Sequence, residues 1–250
     1  MRRPAAIALC VIVSIIVFAM FHRPGRESGE LEATLHREEH LIGRSLEGSP
    51  IIAHQFGDGS DTALLVIASI HGSEPAGTPV SEALMEWVEQ NPSALGDQTL
   101  LVVPNANPDG IARRARFNQN SVDLNRNFPA ENRVASKRFG KSALSEPEAR
   151  ALFDLIGKFQ PAAIVSIHQP LACVDYDGPA AELAAAMSAA CDLPVKRLGS
   201  RPGSLGAYFG ETLGRPIITL ELPRYSKDPA GAYLGTLTAA VRHLYRTSSN

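Results

Sequence analysis

The sequence predicts an α/β fold, with a mostly parallel or mixed central sheet covered by helices on both faces. Three observations predict it. Short apolar runs at residues 50–54, 63–70, 99–104, 162–168 and 216–222 are rich in Val, Ile and Leu, and most are bounded by Gly, Pro or Asn. Strands buried on both faces read this way. Longer segments at 79–90, 146–158, 179–191 and 230–246 are interleaved with them and read as helices. The 250 residues are 44% hydrophobic, enough for one sizeable core.

In chain order, Arg2 and Arg3 precede a run without charge at residues 5–21, apolar except for Ser14. Its length predicts an uncleaved signal anchor over residues 1–22, with a cleaved signal peptide as the alternative. Either places the remainder in the periplasm, and the anchor would hold it at the inner membrane. Residues 23–40 are polar and charge-rich and read as a linker or an exposed first helix. Residues 41–248 read as the catalytic domain. In "SEPEARALFDLIGKF", Ser145 and Glu148 stand three apart before an apolar periodicity, which predicts a capping box.

Net charge is −2 with no block of Lys or Arg, which argues against a nucleic-acid partner. Three cysteines are too few for a disulfide-stapled fold. Cys10 falls in the apolar run as a filler. Cys173 and Cys191 either pair in an oxidising compartment or stay buried thiols.

The chemistry gathers at strand ends. "LLVIASIHGSEPAGTPV" carries an apolar run into His71 and Glu74, which are close enough to reach one ion. "IVSIHQP" offers His168 at another strand end. Catalytic zinc takes three ligands of this type and leaves one position open, so His71, Glu74 and His168 predict one zinc site. In "IITLELPRY", Glu221 is flanked by Leu220 and Leu222. Partial burial would raise its pKa, as suits a general base that later donates its proton to a leaving amine. His22, His36, His40, His54 and His243 read as ordinary surface or packing residues.

The stretch at 102–129, "VVPNANPDGIARRARFNQNSVDLNRNFP", opens with the turn formers Asn107, Pro108, Asp109 and Gly110. A long loop follows, and such loops in compact domains tend to be functional. "DLNRNF" reads as a clamp for a substrate carboxylate through the fork of Arg126. Arg116 reads as a stabiliser of an oxyanion. Arg113 and Arg114 read as a solvated basic patch.

Taken in order, "HGSE", "NPDG", "DLNRNFP", "SIH" and "TLEL" resemble the zinc metallocarboxypeptidase family over about residues 41–246. Within it, "SIHQPLACVDYDGPA" and "GSRPGSLGAYFGETLGRPIITLELP" resemble the branch of murein peptide amidases. That resemblance implies hydrolysis of the amide between γ-D-glutamate and meso-diaminopimelate in cell-wall peptides. It implies zinc on His71, Glu74 and His168, and Glu221 as proton shuttle. Asn125 and Arg126 would grip the free α-carboxylate on the leaving side, and Arg116 would polarise the scissile carbonyl. Asp175, Tyr176 and Asp177 are candidates for the second amine of diaminopimelate. The family's mobile tyrosine has no counterpart before Tyr208, so Gly203 and Ser204 are expected to line the pocket instead. The expected enzyme is a monomer whose partner is the murein peptide. Competing readings are a deacylase of N-acyl amino acids and a wall-peptide binding module without catalysis.

Overall fold

The computed structural model describes residues 35–59 and 61–248. Its strands are β1 (Arg37–Arg44), β2 (Pro50–Phe56), β3 (Asp61–Ala68), β4 (Gln98–Val103), β5 (Ala163–His168), β6 (Leu171–Asp177), β7 (Val195–Lys196) and β8 (Ile217–Pro223). They form one sheet in the order β1-β2-β4-β3-β5-β8-β6-β7. The helices are α1 (Gly77–Gln90), α2 (Pro108–Arg113), α3 (Pro147–Phe159), α4 (Ala181–Ser188) and α5 (Pro229–Ser248), with a π-helical segment at Gly206–Thr212. The expected residues 5–21 anchor lies outside the described residues, among which no helix is long and apolar enough to cross a membrane.

The middle of the sheet is parallel: β4, β3, β5 and β8 run the same way. Its flanks make it mixed. The β1–β2 and β2–β4 pairs are antiparallel, and so is β6 with β8. Alternation along β3 explains why both faces are covered. Leu64, Val66 and Ala68 pack against Val80, Leu84 and Val88 of α1 and Leu237 of α5. Leu65 and Ile67 face the other way, onto Leu152 and Ile156 of α3 and Phe209 of the π-helical segment. Each such side chain contributes about 1.5–3 kcal/mol by leaving water, so the central strands make a rigid platform.

Several local expectations change. Residues 37–40, read as the end of the linker, belong to β1, whose pairing with β2 supplies order that its polar sequence does not advertise. Strand β6 was hidden by its acids: Ala172, Val174 and Tyr176 associate with the core, while the alternate Asp175 and Asp177 line a cleft. The Ser145–Glu148 capping box does not form. Glu146, without a side-chain cap, precedes α3, and Pro147 fixes the first turn. Ser145 donates instead to the Glu146 carboxylate at 2.8 Å, and the Glu148 carboxylate accepts from Asn118. Cys173 and Cys191 are free thiols.

Strand β3 has β4 on one side and β5 on the other. The chain thus leaves β3 in one direction and later returns on the opposite side. In parallel sheets a crevice opens at the carboxyl ends of the strands where the order reverses. That crevice is the place to look for chemistry.

Candidate metal centre

His71 lies three residues beyond β3. The turn that carries it is fixed from below by α2. Asn107 accepts from Gly110 N at 3.0 Å, capping α2, and its Nδ2 donates to Ile70 O at 3.1 Å. A Cβ on Gly72 would fall 2.0 Å from the carbonyl carbon of Gly110, so the two backbones touch in a way only glycine allows. "NPDG" is therefore a buttress for "HGSE" as well as a turn. Glu74 N closes the loop by donating to His71 O at 3.0 Å.

His168 ends β5, the neighbour of β3. Three side chains converge from these two strand ends. Glu74 Oε1 lies 2.9 Å from His71 Nδ1 and Glu74 Oε2 lies 2.9 Å from His168 Nδ1. The two Nδ1 atoms are 3.2 Å apart. All three residues are buried, and one ligand atom from each falls within 4.8 Å of the others.

Hydrogen bonds orient the rings. His71 Nε2 donates to Asp123 Oδ1 at 2.9 Å, so that the neutral ring presents the lone pair of Nδ1 toward Glu74 and His168. His168 Nε2 is 3.0 Å from Ser166 Oγ, one strand pleat below. Two imidazole lone pairs so close, with a carboxylate beside them, repel unless a cation lies between. Two imidazoles and a carboxylate, each ring held through its far nitrogen, is the donor chemistry that zinc takes. The residues fit the metal.

Charge around the centre is balanced from outside. Arg116 donates from Nη1 to Glu74 Oε1 at 3.0 Å and from Nε to Asp123 Oδ2 at 3.1 Å. Burial alone would raise the carboxyl pKa of Glu74, but hydrogen bonds from His168 and His71 pull it far below the usual range. Asp123 is likewise lowered, burial being outweighed by the His71 hydrogen bond and by the charges of His71 and Arg116. For His71, burial is overcome by bonds to Asp123 and Glu74, and its pKa rises.

Glu221 is the partner of His168 across the β5–β8 pairing, while Leu220 and Leu222 turn into the core. Its carboxylate accepts from Leu171 N at 3.2 Å. Burial raises its pKa. The expectation that its neighbours would partly bury it holds through this alternation.

A cleft of about 240 Å³ joins these groups to Arg116, Asn125, Arg126, Asp175, Asp177, Arg201 and Ser204. Asn125 is held by Leu205 N, which donates to its Oδ1 at 2.8 Å. Its backbone N–H donates to Asp123 Oδ1, and Asp123 thereby caps the turn Leu124–Arg126. Arg126 Nη1 donates to the Asn125 carbonyl. Ser204 Oγ accepts from Ala207 N at 3.0 Å. Asp175 Oδ1 accepts from Leu198 N at 2.8 Å. Arg113 and Arg114 are exposed.

Some sequence-predicted groups fall elsewhere. Tyr176 points to the opposite face of β6 from Asp175 and stands under the Arg197 guanidinium. Tyr208 packs between Phe128 and Phe153 and does not line the cleft. Gly203 also stays off the wall: its N–H donates to Asn132 and its carbonyl accepts from Phe128 N. Sequence reasoning missed Asp123, Ser166 and Thr219. Ser166 had a signal, since a residue two before a strand-end His shares its face. Asp123 had a weaker one, as the acid opening "DLNRN".

This arrangement, a buried His–Glu–His set at the strand ends of a mixed α/β sheet with an acid opposite, defines a metal-dependent hydrolase. The zinc carboxypeptidase sequence profile matches residues 36–177, and the chain belongs to the zinc carboxypeptidase family. It is 36% identical over 219 residues to murein peptide amidase A of Escherichia coli K12, covering 80% of this chain and 88% of that protein. Murein peptide amidase A of Vibrio campbellii is 31% identical, with 80% and 86% covered. The crystal structure of murein-tripeptide amidase from Escherichia coli O157 superposes with a TM-score of 0.67 at 31% identity, covering 82% of this chain and 91% of that one. Carboxypeptidase A from Helicoverpa armigera shares the fold, with a TM-score of 0.71 at 20% identity, over 87% of this chain and 70% of that one.

Proposed function

We propose that this protein hydrolyses the γ-D-glutamyl–meso-diaminopimelate amide of murein peptides and releases diaminopimelate. The observation that carries this reading is the acid-lined cleft beside the metal centre. There Asp175 and Asp177 share the wall with Asn125 and Arg126, in a chain related to proteins named murein peptide amidase A. Diaminopimelate brings an α-carboxylate to Arg126 and Asn125. Its side chain carries an ammonium toward Asp175, one pleat below Glu221 in the β6–β8 register. That step, two residues or about 6.6 Å, suits a side chain of this length.

His71, Glu74 and His168 would hold the zinc. A zinc ion there supplies Lewis acidity, which makes water a better nucleophile and the scissile carbonyl a better electrophile. Glu221 takes the proton from the attacking water and passes it to the leaving nitrogen, for which a raised carboxyl pKa is suited. Arg116, anchored by two of its nitrogens, directs the rest of its guanidinium at the developing oxyanion. Ser204 lines the leaving side. The residues that would hold zinc and substrate, and the base, all belong to one chain, as a monomeric enzyme requires. The uncharged residues 5–21 support anchoring at the inner membrane with the catalytic domain in the periplasm, and the net charge of −2 speaks against nucleic acid.

The test is incubation with L-alanyl-γ-D-glutamyl-meso-diaminopimelate. Diaminopimelate is expected to appear, to stop with a chelator and to return with added zinc. A zinc-loaded protein that leaves this peptide whole while cleaving simple N-acyl amino acids would overturn the reading.

A further inference from the structure

We propose that Arg224 reads the free α-carboxylate of a γ-linked glutamyl acyl group, and so favours substrates whose acyl side carries that charge. This rests on the functional reading above and concerns the opposite side of the scissile bond. A second cavity, of about 560 Å³, opens across the ridge formed by Glu74, Arg116, Gln169 and Pro170, and reaches Arg224 and Tyr225. With the leaving residue held among Asn125, Arg126 and Asp175, the acyl part of the substrate has this cavity in which to lie.

The two sides differ in charge. The leaving side bears Asp175, Asp177 and Glu221 among Arg116, Arg126 and Arg201. On the acyl side the lining acid is Glu74, and its charge is already taken up by His71, His168 and Arg116. Arg224 is exposed, and among the described residues its guanidinium makes no hydrogen bond or ion pair. It is nonetheless held in register with the metal centre. Gln169, next to the ligand His168, donates from Nε2 to the carbonyls of Pro223 at 3.0 Å and Arg224 at 3.3 Å. The same residue donates from its backbone N–H to Glu74 at 3.3 Å and accepts from Ala76 N at 3.1 Å. A cation whose backbone is tied to the reacting centre, and whose guanidinium has no partner of its own, suits an anionic substrate group.

Substrate chemistry supplies that anion. In a γ-linked glutamyl group a carboxylate stands a few bonds from the scissile carbonyl, on the acyl side. When that carboxylate is amidated, the position is neutral. An unpaired arginine there therefore distinguishes the free acid from its amide, by attraction in one case and by an unused charge in the other.

The experiment compares the murein tripeptide with the same peptide whose glutamyl α-carboxylate is a primary amide, on wild type, Arg224→Gln and Arg224→Lys. Wild type is expected to favour the free carboxylate by about tenfold in kcat/KM, chiefly through KM. Arg224→Gln should bring the two peptides within about twofold, and Arg224→Lys should keep part of the preference. The wild-type preference should also shrink with added salt. A preference that survives Arg224→Gln, or a wild type indifferent to the amide, overturns the role of Arg224 and leaves the amidase reading standing. A zinc-loaded wild type that cleaves neither peptide overturns both.

Discussion

His168 and Glu221 face each other at the last paired rung of the adjacent parallel strands β5 and β8. Paired residues in a parallel ladder project to the same side of the sheet, so a candidate metal ligand and the acid beside it are set by strand register. The carboxylate needs no loop closure to reach its place, and the same ladder buries it enough to raise its pKa.

Glu221→Gln keeps shape and hydrogen-bonding while removing the proton acceptor. Zinc content should be unchanged and turnover should fall roughly 10²–10⁴-fold, the scale of lost acid–base chemistry. Metal analysis and steady-state assay of the same sample check this. Full activity in the variant would exclude Glu221 as the proton shuttle.

Asp123 bonds to the far nitrogen of His71 and to Arg116. Removing its charge loosens the orientation of a proposed zinc ligand without removing any donor from the proposed site. Asp123→Asn should weaken zinc binding about 10–100-fold, as outer partners of ligating histidines do. Competition against a chromophoric chelator measures it, with Glu221→Gln as the unaffected control. An unchanged zinc affinity would show the bond to be incidental.

The candidate metal set and the central strands were legible because both leave periodic traces: apolar runs that end on His71, His168 and Glu221. What stayed hidden was paired through space. Strand β6 alternates an apolar face with Cys173, Asp175 and Asp177, and single-sequence reading takes the acids for a turn. Arg37 to His40 look like linker because the order of β1 comes from β2. Asp123 was overlooked in favour of Asn125 and Arg126, since nothing local says which member of "DLNRN" turns toward His71. The Ser145–Glu148 pattern misled for the converse reason. A local motif was available, and Asn118 together with Pro147 took the same residues into a different arrangement.

Asp177 is buried beside the cleft, and Gly206 makes room for it: a Cβ there would fall 2.4 Å from Asp177 Oδ2. Burial, then the charges of Asp175 and Glu211, push its carboxyl pKa up to about 6 from an ordinary 3.8. Between those values the folded chain holds a proton that the unfolded chain has released. This contribution to stability is complete below pH 3.8 and declines as pH rises through 6. Asp177→Asn should abolish the decline. Its stability relative to wild type should therefore grow across the window, toward a gain on the order of 2 kcal/mol above it. Thermal unfolding of both proteins at a series of pH values reads the difference, and an offset independent of pH would refute it.

Arg126 supplies the charge of the proposed carboxylate clamp, half-buried against the wall of the cleft, with Asn125 beside it. Its guanidinium keeps one nitrogen on the Asn125 carbonyl, and the residue lines the cleft. A charge-assisted contact of this kind is worth about 1.5–3 kcal/mol, or roughly 10–150-fold in affinity. Because the leaving carboxylate is present in ground and transition states alike, Arg126→Ala should act mainly on KM. The loss should be large for a murein tripeptide with a free diaminopimelate α-carboxylate and small for the same peptide amidated there. Equal losses on the two would mean that Arg126 supports the loop and not the substrate, because a purely structural defect cannot distinguish a carboxylate from its amide.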